Sequence, residues 1–81
     1  MFDFENINFN DKKEFYHQIN IYLLSMIQDE PDWLAGLANV SALLYQLMPK
    51  INWAGFYLNK GGELVLGPFQ GKPACIHINY G

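Results

Sequence analysis

Only one cysteine, Cys75, stands in the 81 residues, so no internal disulfide can form. The thiol is free in a reducing compartment, an intermolecular partner, or half of a pair whose mate has been lost. Positive charge is also scarce: five Lys plus Arg face eight Asp plus Glu, for a net charge of -3. Without a basic stripe the electrostatic term that dominates nucleic-acid affinity is missing, and nucleic-acid binding is excluded. No apolar run approaches the ~18 residues of a membrane span. The start, Met1-Phe2-Asp3-Phe4-Glu5, is acidic where a signal peptide is basic, which points to the cytoplasm. The glycines at 55, 61, 62, 67 and 71 match neither a phosphate-binding loop nor a dinucleotide fingerprint, and there is no serine-nucleophile motif, so no cofactor is expected. Asp3, Glu5, Asp11, Glu14, Asp29, Glu30, Asp32 and Glu63 are scattered over termini, caps and turns. They read as solvated charges, with no carboxylate pair for acid-base work.

What is present is material for packing. Hydrophobic residues make up 51% and aromatics 16% of the chain, against 16% charged, a balance too rich for disorder. A chain this short forms one domain at most and buries roughly 60 to 65% of its unfolded surface, so its stability is expected to be marginal. Asn10 or Asp11 can cap a first helix running to about Gln28, with Asp11 and Glu14 spaced as a capping box. Phe15, Ile19, Tyr22, Leu23, Met26 and Ile27 fall in one stripe about 100° wide, the width of a core-facing helix. Ile21 and Leu24 project from the other side. That side either meets another helix or a second subunit, or carries the singly exposed apolar residues common on surfaces.

Pro31 suits the first turn of a second helix, which Pro49 should end near Met48. Its apolar residues cover more than half the circumference, so burial on two sides is expected. After Pro49 the period becomes alternating, giving strands from about Ile51 to Asn59 and Glu63 to Leu66, joined by a tight hairpin at Lys60-Gly61-Gly62. Gly67 to Pro73, with two glycines and two prolines, should form an ordered bend leading to a third strand near Cys75. The sum is an α+β chain with both helices laid against an antiparallel sheet.

In the first strand Ile51, Trp53, Gly55 and Tyr57 share a face, because strand side chains alternate. Two aromatics flank a residue without a side chain. Either this leaves a slot walled by flat rings, suited to a ligand carrying sulfur or a methyl group, or Gly55 lets a helix approach the sheet closely. Cys75 and His77 could share a metal, but two donors are too few and His17 stands alone on the first helix, so no metal site is expected. Strand neighbours two apart diverge, and His77 reads as solvated.

Trp53-Ala54-Gly55-Phe56-Tyr57-Leu58, followed by Leu66-Gly67-Pro68-Phe69-Gln70-Gly71-Lys72-Pro73-Ala74-Cys75, resembles the central signature of the free methionine (R)-sulfoxide reductases, which are built on a GAF domain. The resemblance covers essentially the whole chain. It implies a GAF-like fold in which residues 1–81 are the N-terminal part of a single domain, truncated after about three strands. It places Cys75 at the family's first cysteine, a resolving thiol that captures the sulfenic acid formed on a later one, and Trp53 and Tyr57 in the aromatic wall around the substrate's sulfoxide and methyl end. It further implies free methionine (R)-sulfoxide as substrate and thioredoxin as reductant. The family's nucleophile and the acidic residues that hold the substrate's ammonium group match nothing here, so the isolated chain is expected to be inactive. The family also often carries a basic residue at the position of His77. Two other readings stand beside it: a GAF module that binds a small molecule without chemistry, and a fragment that persists as a homodimer through the first helix and the unfinished sheet. Cys75 in its Gly/Pro context favours the reductase.

Overall fold

A computed structural model describes residues 7–79; Asp3 and Glu5 of the acidic start lie outside them. Helix α1 (Lys12–Ile27) is capped by Asp11, whose carboxylate accepts the Glu14 N–H at 3.2 Å. This satisfies one of the donors a helix start leaves free. Helix α2 (Trp33–Leu47) is capped by Asp32, which accepts the N–H groups of Leu34 and Ala35 at 3.0 and 3.3 Å. Pro31 therefore precedes the cap and does not occupy the first turn. Met48 turns to an extended conformation (φ -74°, ψ 123°), as the following Pro49 requires. Lys50 then takes a left-handed φ of 64°, a conformation that sequence pattern did not foretell.

Three strands follow, β1 (Trp53–Lys60), β2 (Glu63–Gly71) and β3 (His77–Asn79), antiparallel and in the spatial order β1-β2-β3. Gly61 and Gly62 carry φ of 61° and 88°, the two positive values that a two-residue hairpin turn needs. β2 runs further than expected, through Gly67 and Pro68. Gly55 faces Phe69 whereas Tyr57 faces Leu66, so β2 carries one extra residue there. Such a bulge tolerates Pro68, since an unpaired residue has no ladder bond to lose.

The layers follow from which faces are apolar. α2 packs on β1 and β2 with one side and on α1 with the other, which accounts for part of its wide apolar surface, while Trp33, Leu34 and Tyr45 stay exposed; α1 is the outer layer. The tightest core lies between the helices: Ile7, Phe15, Ile19, Met26, Leu43 and Leu47 are buried, with Tyr22, Leu23, Leu44 and Met48 around them. Each fully buried aliphatic or aromatic side chain there contributes about 1.5 to 3 kcal/mol relative to exposure. Ile21 and Leu24 lie on the side of the first helix away from the core and are exposed in the single chain, and Ile27, assigned to the core stripe, is exposed too. No helix among the described residues is long and apolar enough to cross a membrane.

Candidate functional site

Trp53, Tyr57 and Phe69 form one aromatic cluster on the sheet. The Trp53 and Tyr57 ring centroids lie 6.1 Å apart at 24°, and those of Trp53 and Phe69 5.5 Å apart at 15°. A group placed between two ring planes needs about 7 Å, twice an optimal carbon contact. No open slot separates Trp53 from Tyr57, and a ligand would meet the edges and outer surfaces of the cluster.

Gly55 explains the closeness. A Cβ built there would lie 2.4 Å from the Phe69 Cβ, 2.8 Å from its Cα and 2.9 Å from the Pro68 carbonyl oxygen. The close approach that Gly55 permits is that of the neighbouring strand at its bulge, neither a helix nor an empty slot. Phe69 is the residue that sequence reading missed, although it stands in the quoted Gly-Pro-Phe-Gln-Gly string; the signal was Pro68, which forces an unpaired residue and rotates its successor onto the aromatic face. Gly71 closes the same neighbourhood. At φ 128°, its missing Cβ would be 2.9 Å from Trp53 Cδ1 and 2.8 Å from the Asn52 carbonyl oxygen, so the chain passes directly beside the indole. The Trp53 N–H is buried with no acceptor among the described residues.

Cys75 is exposed in the segment between β2 and β3. Two bonds hold that segment to the sheet: the Tyr57 hydroxyl donates to the Cys75 carbonyl at 2.8 Å, and the Leu66 N–H donates to the Ile76 carbonyl at 2.8 Å. The structure thus brings the three expected site residues together, Trp53 against Tyr57 through their rings and Tyr57 against Cys75 through its backbone. His77 is not simply solvated, since its Nδ1 lies 3.0 Å from Glu63 Oε1. Glu63, read as a free surface charge, is its partner. With the histidine side chain 62% exposed, this pair adds little stability. Among the described residues no group of three or more His, Cys, Asp or Glu could hold a metal. The arrangement therefore offers a flat apolar surface and an accessible thiol on a pinned loop.

No family model matches the chain. It is 52% identical over 71 residues to the free methionine-R-sulfoxide reductase of Escherichia coli, covering 88% of this chain and 43% of that protein. The free methionine-R-sulfoxide reductase of Neisseria meningitidis, solved with its substrate, superposes with a TM-score of 0.83 at 39% identity over 91% of this chain and 45% of that one. A solved GAF domain superposes at 0.80 with 33% identity, over 95% of this chain and 48% of that one. The chain spans about half the length of the curated relatives it matches. Sequence and fold together make the chain similar to the N-terminal half of the free methionine-R-sulfoxide reductases and of their GAF fold.

Proposed function

We propose that this chain supplies the aromatic wall and the resolving thiol for reduction of free methionine (R)-sulfoxide. In that reaction a thiolate attacks the sulfoxide sulfur, methionine leaves, and the attacking cysteine keeps the oxygen as a sulfenic acid. A second thiol displaces that oxygen as water, and the resulting disulfide is returned to two thiols by a dithiol reductant of the thioredoxin type. Cys75 is the second thiol in this scheme. Trp53 and Tyr57 offer ring surface to the thioether and methyl end, which sulfur and aromatic rings favour modestly. The observation that supports the reading is the 2.8 Å bond from Tyr57 to the Cys75 carbonyl, which ties the backbone of an exposed cysteine to the ring wall.

The scheme consumes two thiols and these 81 residues hold one. Steady thioredoxin-coupled turnover of free methionine (R)-sulfoxide by the 81-residue chain, above that of its Cys75→Ser variant, would overturn the assignment of Cys75. Substrate recognition is checked separately by nuclear magnetic resonance titration. The (R) epimer should perturb the Trp53 and Tyr57 ring signals more than the (S) epimer does, and an equal or absent response would overturn the reading of the wall.

A further inference from the structure

Ser41 is a polar residue with 0% of its surface exposed, in the middle of α2. A buried hydroxyl is costly unless it is bonded, and any helical serine can meet that need through the carbonyl four residues back, here Leu37 at 2.9 Å. The same hydroxyl proton also reaches the Pro68 carbonyl, at 3.1 Å across 27 positions of sequence, so it is shared between the two acceptors rather than committed to the helix alone. The Pro68 carbonyl belongs to the β2 bulge, where an unpaired residue has no ladder partner of its own. The same oxygen lies 2.9 Å from the Cβ that Gly55 lacks, and the next residue, Phe69, stacks its ring on Trp53 at 5.5 Å.

We infer that Ser41 is a positioning residue for the Trp53 indole, acting through the Pro68 carbonyl and the Phe69 ring. This rests on the proposed role of Trp53 as substrate wall, which it extends by naming what fixes the plane of that wall. Helix α2 contributes no ring to the cluster; it holds the bulge, the bulge aims Phe69, and Phe69 together with Tyr57 leaves the indole little freedom to turn.

The test uses the 81-residue chain carrying Trp33→Phe, so that one indole N–H signal remains. Ser41→Ala should shift that signal by more than any α1 backbone amide moves. Phe69→Leu, which leaves Ser41 and Pro68 in place, should shift it as well. In the Phe69→Leu background Ser41→Ala should add little, since the relay is already cut. An indole signal that moves no more than the α1 amides in either variant would overturn the inference, and so would full additivity of the two shifts. No substrate is present, so a failure here is distinct from a failure of the epimer titration, which bears on the wall itself.

Discussion

Replacing Gly55 by alanine tests the strand contact on which the aromatic cluster depends. Ordinary van der Waals contact begins at 3.4 Å and the added Cβ would stand 2.4 Å from the Phe69 Cβ, 2.8 Å from its Cα and 2.9 Å from the Pro68 oxygen, so β1 and β2 must part locally by about 1 Å. Two of these three atoms are backbone, and no side-chain rotation relieves them. Overpacking of this kind costs about 1 to 3 kcal/mol. Alanine returns about 0.4 to 1 kcal/mol by narrowing the unfolded ensemble, because Gly55 is not among the positive-φ glycines. The net loss should be about 1.3 kcal/mol, or a melting midpoint about 5 to 10 °C lower for a domain of this size. Urea unfolding followed by circular dichroism measures it, and the change in near-ultraviolet signal reports on the rings. A variant within about 0.5 kcal/mol of the parent, the range of an ordinary surface change, would refute the account of Gly55 given above.

The contrast is Gly36→Ala in α2, where the nearest atom, Ile27 Cγ2, lies at 3.6 Å. That variant should gain up to about 1 kcal/mol from helix propensity, and a lower midpoint would count against it. Lys50 holds φ 64°; Lys50→Gly removes a left-handed strain of about 1 to 2 kcal/mol but adds unfolded-state freedom, so thermal unfolding should show a net gain of about 0.5 to 1 kcal/mol. Tyr57→Phe deletes the bond to the Cys75 carbonyl at a cost of about 1 kcal/mol. It should speed amide exchange at Leu66, whose N–H is bonded to Ile76, and exchange unchanged from the parent would mean the loop is held by other contacts.

The helices could be read in advance because their signals are local. Asp11, the 3.6-residue spacing of Phe15, Ile19 and Met26, and Pro49 each act within a turn or two of the chain, and the structure places the cap, the buried face and the stop accordingly. The hairpin followed from adjacent glycines for the same reason. What escaped involves partners far apart in sequence. The extension of β2 past Leu66 depends on a bulge set against β1, the filling of the space over Gly55 depends on Phe69, and the Glu63 partner of His77 comes from a register that no spacing rule supplies. The expected site residues Trp53, Tyr57 and Cys75 were named from their motif; that Tyr57 reaches the backbone of Cys75 rather than its sulfur emerged only in three dimensions.

The buried hydrophobic residues cluster between two helices that are neighbours along the chain, Ser41 is buried where the second helix meets the sheet, and the described sheet residues, Ala54 apart, stay half-buried or exposed. Short sequence separation favours early closure of both hairpins, α1 with α2 and β1 with β2 across Gly61-Gly62, since little loop entropy opposes either. The Ser41–Pro68 contact, 27 positions apart in sequence, is then one of the long-range links by which two locally closed hairpins dock on each other.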